Sequence, residues 1–143
     1  MRSRLEASAA GLLDESGITW AYEPECFADG ASQYLPDFRL WPSWFLEVKP
    51  PSIWEGWPPS EGAALDKALR RMVVIRASIA KAVLMLWLVD TSASGWGRLI
   101  VHGPQWAAWE CGGAKRWLSI VSRGWEAGWE AGRESARDDE GPF

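Results

Sequence analysis

Apolar and polar positions follow different rhythms along this chain. Over residues 4–16 the rhythm is helical, with Leu5, Ala9, Leu12 and Leu13 on one stripe. Ser3-Arg4-Leu5-Glu6 has the S-x-x-E form of a capping box. Gly17 is a natural helix stop, with the apolar Ile18 behind it. A first helix is therefore expected over residues 4–16. Residues 18–23 alternate and are rich in β-formers, which predicts a strand ended by Pro24. Residues 25–32, with the turn signal Asp29-Gly30, read as a loop.

Two further alternating runs, residues 34–40 and 44–49, flank Trp41-Pro42-Ser43 and predict a hairpin. Pro50-Pro51 stops its second strand, because neither residue can donate to a ladder. After a Pro- and Trp-rich loop over residues 52–59, Leu65, Ala68, Leu69, Met72 and Val73 return to helical spacing. A second helix is expected over residues 61–80. Residues 82–89 are almost wholly apolar, as in a central strand covered on both faces. Residues 96–102 read as a further strand and residues 114–122 as a helix. The fold class expected is mixed α/β, a central mixed sheet flanked by helices, in the order α-β-β-β-α-β-β-α. The division expected is a domain over residues 1–122, then a peripheral helix and flexible tail over 123–143. That tail holds the repeat Trp125-Glu-Ala-Gly128 and Trp129-Glu-Ala-Gly132.

The hairpin carries the chemistry. Side chains alternate between the faces of a strand, so Glu47 and Lys49 share one. A turn centred on Pro42 sets Asp37 opposite Glu47, Phe38 opposite Leu46 and Leu40 opposite Trp44. One face then holds Phe38, Leu40, Trp44, Leu46 and Val48. The other holds Asp37, Arg39, Glu47 and Lys49, with Phe45 its only apolar member. A one-residue slip would mix the two sets, so burial specifies this register. Facing carboxylates repel unless a cation bridges them. Hard oxygen donors suit Mg²⁺ or Mn²⁺, which keep waters and accept a phosphate oxygen. The plain alternative is a solvated polar face on an edge hairpin, with Lys49 pairing a carboxylate.

Bulk properties narrow the classes. The formal net charge of −4 counts against a protein that coats DNA through a broad basic surface, but not against a carboxylate-built site. No apolar run approaches the ~20 residues of a membrane span, and no apolar segment follows the basic N-terminal residues as in a signal peptide. Cys26 and Cys111 stand apart, which suggests reduced, partly buried thiols in the cytoplasm rather than a zinc site. The sole histidine, His102, lies outside the hairpin and reads as structural or solvated. The twelve tryptophans read as core and helix-face residues before they read as a stacking surface.

Leu35-Pro-Asp-Phe38 and Leu46-Glu-Val-Lys-Pro50 resemble the PD-(D/E)XK nuclease superfamily. Pro36-Asp37 matches its PD element and Glu47-Val48-Lys49 its (D/E)XK element. Together with Arg2-Ser-Arg-Leu-Glu-Ala7 and Tyr22-Glu-Pro24, the wording is similar to small nuclease-like proteins of bacteriophages. The resemblance covers roughly residues 2–89 and implies a restriction-endonuclease-like core.

It further implies that Asp37 and Glu47 ligate Mg²⁺ (or Mn²⁺) with the Val48 carbonyl, and that Lys49 positions or activates the attacking water. Glu6 matches an acidic residue that many members use near the metal, and it is equally the last residue of the capping box. Lys67, Arg70 and Arg71 could meet DNA phosphates, Lys67 being expected nearest the site; a solvated helix face with an Asp66–Arg70 pair is the plain alternative. The function expected is an endodeoxyribonuclease acting on DNA in the cytoplasm of a bacterial or phage-infected host cell. A homodimer or protein partner is left open, since cleavage of two strands favours a symmetric pair. The rivals are a non-catalytic nucleic-acid-binding or interaction module on the same scaffold, and a carbohydrate-binding module suggested by tryptophan alone.

Overall fold

A computed structural model of the chain describes residues 3–41, 43–54, 64–103, 109–111 and 113–122. The tail over 123–143, the bulk of the Trp-rich loop and the start expected for the second helix lie outside these residues. Helix α1 (Arg4–Glu15) is capped by Ser3, whose Oγ accepts from the Glu6 N–H at 3.1 Å. It ends as the sequence predicts. Gly17 takes φ 76°, its N–H bonds the Asp14 carbonyl, and the Ile18 N–H bonds the Leu13 carbonyl. This is a Schellman closure, and its two apolar partners, Leu13 and Ile18, are both buried.

Strand β1 (Ala21–Tyr22) is shorter than expected. The region read as a loop instead holds most of a small hairpin, β2 (Phe27–Asp29) with β3 (Ser32–Tyr34), turned at Gly30 and Ala31. Gly30, at φ 61°, supplies the left-handed residue that a two-residue turn requires. Tyr34 closes β3 rather than opening the next strand. Pro36 breaks the ladder, and β4 (Phe38–Trp41) begins after it. Strand β5 (Trp44–Lys49) follows, then a 3-10 turn over Pro51–Trp54.

Helix α2 (Ala64–Met72) ends earlier than the helix expected over residues 61–80 and tightens into a 3-10 turn over Val73–Ala77. The β-branched run Val73-Val74-Ile75 crowds an α-helical turn, which fits the change. Strands β6 (Val83–Val89), β7 (Gly97–His102) and β8 (Trp109–Cys111) precede α3 (Ala114–Val121). The extra hairpin and β8 correct the expected element order to α-β-β-β-β-β-α-β-β-β-α.

The main sheet runs β1-β4-β5-β6-β7-β8, with β5 and β6 parallel and the other pairs antiparallel. This is a mixed α/β fold with helices on both faces. The hairpin register is as predicted at Phe38–Leu46, and Arg39–Phe45 continues it. It then shifts, so that Trp41 rather than Leu40 pairs with Trp44. The apolar face survives the shift: Phe38, Leu40, Trp44, Leu46 and Val48 share one buried cluster with Leu13 of α1 and Leu118 of α3. Phe45 lies in a second cluster on the other face, with Met72, Ile75, Phe27 and Tyr34.

Strand β6 divides between the two layers. Val83, Met85, Trp87 and Val89 face one cluster, and Leu84, Leu86 and Leu88 face the other. Its near-continuous apolar run therefore reflects cover on both sides. The five tryptophans with described side chains all serve the first cluster: Trp44, Trp87 and Trp117 within it, Trp20 and Trp96 against it. Trp44 and Trp117 stack with ring centroids 6.1 Å apart. Cys26 is exposed, against the expected partial burial. Among the described residues, no helix is long and apolar enough to cross a membrane.

Candidate functional site

The sheet positions the acidic side chains through an unequal pair of strands. β5 runs on to Lys49, but its partner β4 opens only at Phe38, opposite Leu46. Beyond that point the β4 side of β5 has no strand beside it. Asp37 is thus not the ladder partner of Glu47 that the sequence suggested. It sits one residue before β4, and its Oδ2 accepts the Val48 N–H at 2.8 Å. A residue's N–H and C=O point to the same side of an extended strand. The Val48 carbonyl therefore also faces this gap and not β6.

Around the gap lies an open cavity of about 560 Å³, lined by Glu6, Tyr34, Asp37, Glu47, Lys49 and Arg71, among others, and by Val48. All three carboxylates are buried, with 6–8% of their surface exposed. They arrive from separate elements: Glu6 from the first turn of α1, Asp37 from the approach to β4, and Glu47 from β5. Among the described residues, these three are the buried charged side chains of the chain.

Each carboxylate has protein partners. Glu6 Oε1 accepts from Ser3 Oγ at 3.2 Å, and Glu6 Oε2 accepts from the Tyr22 hydroxyl. Glu47 Oε2 accepts from the Tyr34 hydroxyl, and Glu47 Oε1 lies 3.4 Å from Lys49 Nζ. Glu6 therefore bonds the cap residue Ser3 through its hydroxyl and also lines the cavity.

Asp37 bears the electrostatic load. Burial, then the Glu47 charge, with Glu6 adding to it, push its carboxyl up to about 7 against the pull of the Val48 N–H and Lys49. Burial and then the Glu47 charge push the Tyr34 phenol well above its ordinary range, so it remains a donor. Excess negative charge out of water is stabilised by a bound cation. The donors are all oxygens, which fits Mg²⁺ or Mn²⁺. Among the described residues, no three acidic, histidine or cysteine side chains close round one point. Mg²⁺ is commonly held by one or two carboxylates with waters completing its shell. Asp37 and Glu47, with the Val48 carbonyl, meet that requirement in donor type.

The basic residues of α2 divide. Arg71 lines the cavity, with its guanidinium 5.9 Å above the Tyr34 ring. Lys67, expected nearest the site, is exposed and does not line the cavity, and Arg70 does not either. The difference is one of helix position, since Lys67 lies a turn earlier than Arg71. His102 is half-buried and away from the cavity lining, with its pKa lowered by burial and then by Arg76.

Tyr34 and Tyr22 are the contacts that sequence reasoning missed. The Y-x-x-D spacing of Tyr34 and Asp37 is the one local signal for Tyr34. No family model, curated protein or solved structure matches the chain.

Proposed function

We propose that the chain is a Mg²⁺- or Mn²⁺-dependent endodeoxyribonuclease that hydrolyses DNA phosphodiester bonds with a metal-activated water. One observation carries the reading. Asp37, Glu47 and Lys49, the residues of the PD…EVK pattern, line one cavity together with Glu6, brought there by the approach to β4, by β5 and by α1. The run from α1 through a motif-bearing hairpin to α2 and a parallel partner strand supports a restriction-endonuclease-like core.

In this reading Asp37, Glu47, the Val48 carbonyl and Glu6 hold the metal. The ion, when bound, supplies a polarised phosphodiester and a water of lowered pKa. Lys49 offers an ammonium beside Glu47 that can orient a water and steady charge developing on the phosphoryl oxygens. Arg71 brings a cation to the same cavity, suited to an entering phosphate. Its setting would be the cytoplasm of a bacterial or phage-infected host cell.

The test is cleavage of single-stranded, duplex and branched DNA with Mg²⁺ or Mn²⁺. Asp37→Ala and Lys49→Ala should each lower the rate by roughly 10²-fold or more, as loss of a charge-stabilising group does. Activity that survives both substitutions sinks the mechanism.

A second reading has one observation in its favour. The Glu6 and Glu47 carboxylates already have protein partners on both oxygens. A non-catalytic nucleic-acid-binding or interaction module would need no metal there. Calorimetric titration with Mn²⁺ separates the two, since the module predicts no binding heat and no effect of Glu47→Gln on DNA binding.

A further inference from the structure

The chain contains only two tyrosines, Tyr22 and Tyr34. Each donates its phenol to a different carboxylate of the cluster, Tyr22 to Glu6 and Tyr34 to Glu47. They reach the cluster from opposite layers. Tyr22, on the edge strand β1, packs against the first core cluster and tilts against Phe38 at a centroid distance of 5.6 Å. Tyr34 closes the β2–β3 hairpin and is buried in the second cluster, beside α2.

We propose that Tyr22 and Tyr34 are positioning residues for the metal-binding carboxylates, one for each face of the sheet; this rests on the nuclease reading above. A carboxylate on a glutamate side chain has three rotatable bonds, and an unrestrained Glu6 or Glu47 would turn to solvent or to the nearest ammonium. A phenol is the donor suited to restraining it. It is uncharged, so it fixes one oxygen without neutralising the anion that must bind a cation, and its ring has only two torsions, both locked by packing.

Tyr34 has a further part. Glu47 Oε1 is drawn to Lys49, and the Tyr34 hydroxyl holds the opposite oxygen. Without that hold, nothing described here opposes a collapse of Glu47 onto Lys49. The ring also carries the Arg71 guanidinium. Arg71 also lines the cavity, with this ring beneath its guanidinium. Tyr34 thereby links the carboxylate that would hold the metal to the cation that would meet the phosphate.

The role of Tyr22 bears on Glu6. If Glu6 serves only as a helix cap, the Tyr22 hydroxyl is irrelevant to metal binding. If Glu6 belongs to the site, the hydroxyl matters. Groups that orient metal ligands typically contribute 10- to 100-fold to affinity.

The experiment uses the full chain with both tyrosines replaced biosynthetically by 3-fluorotyrosine, which gives two ¹⁹F resonances, assigned with Tyr22→Phe. Mg²⁺ titration should shift both, with one dissociation constant equal to that from calorimetry with Mg²⁺. In calorimetry with Mn²⁺, Tyr34→Phe and Tyr22→Phe should each bind about tenfold or more weakly than the parent chain. Their melting temperatures in EDTA report any purely structural effect separately. Two unmoved resonances alongside normal calorimetric binding, or variants that bind Mn²⁺ within twofold of the parent, overturn the proposal and leave the nuclease reading standing. A parent chain that gives no heat with Mn²⁺ and no shift with Mg²⁺ overturns both. Because the fluorine measurement needs no substitution at Tyr34, it decides the matter even if Tyr34→Phe fails to fold.

Discussion

Asp37 gives the clearest expectation for a single residue. Its carboxyl holds a proton up to about pH 7 when folded, against an ordinary value of 3.8. The folded state therefore binds more protons than the unfolded state between these limits. The stabilisation is present in full below about pH 4 and is lost as the pH rises through about 7. In EDTA, urea unfolding should show this loss between pH 5 and pH 8, and Asp37→Asn should flatten it, with a gain at pH 8 of up to roughly 4 kcal/mol. An unchanged difference between the two pH values in the variant would assign the dependence elsewhere. The same residue shows what was legible in the sequence. Strand alternation sufficed to put Glu47 and Lys49 on one face and to bring Asp37 near them. It could not show that Asp37 spends an oxygen on the Val48 N–H, because that depends on where β4 begins. Tyr34 was hidden for a related reason: its bond to Glu47 spans two different sheets, and no local period records such a contact.

Among the elements, the antiparallel pairing of β6 with β7 leaves no room for a side chain at Gly97. Its φ is 90°, and a Cβ there would stand 2.0 Å from the Leu88 carbonyl oxygen and 2.9 Å from the Asp90 nitrogen. Both neighbours are backbone and cannot turn away. Gly97→Ala should cost about 3 kcal/mol or more, or prevent folding, as judged by denaturant midpoint. Gly17 has the same backbone hand but nothing within 4 Å of a Cβ, so Gly17→Ala should cost only about 1 kcal/mol. Equal effects would mean that the close approach at Gly97 is not what matters there. The long elements were readable because α1 offers several periods and β6 an unbroken apolar run. β2 and β3 have three residues each, too few to show one, and only Asp29-Gly30 betrayed the hairpin. Helix α2 was drawn too long because apolar spacing persists through Val73 and Ile75 while the backbone tightens.

For the whole molecule, metal and fold should be coupled. A ligand that binds only the folded state stabilises it by RT ln(1 + [L]/Kd), about 2.7 kcal/mol at a hundredfold excess over Kd. Saturating Mn²⁺ should therefore raise the melting temperature by several degrees, and Asp37→Ala should abolish the rise. A rise of the same size in that variant would place the ion elsewhere. The sequence did not reveal the sheet order. It suggested an exposed hairpin as the plain alternative for β4 and β5, because parallel pairing of β5 with β6 leaves no mark at short range. That pairing has a consequence for how the molecule moves. Glu47, Val48 and Lys49 belong to a strand whose neighbour β6 is buried along its whole length. They cannot open as a flap or a loop does. The amide protons of Glu47 and Lys49, which alternate with Val48 and so face β6, should exchange with deuterium only on global unfolding. Inactivation by heat should then be a single cooperative event that coincides with loss of the fold, with no earlier stage in which the site loosens and the sheet persists.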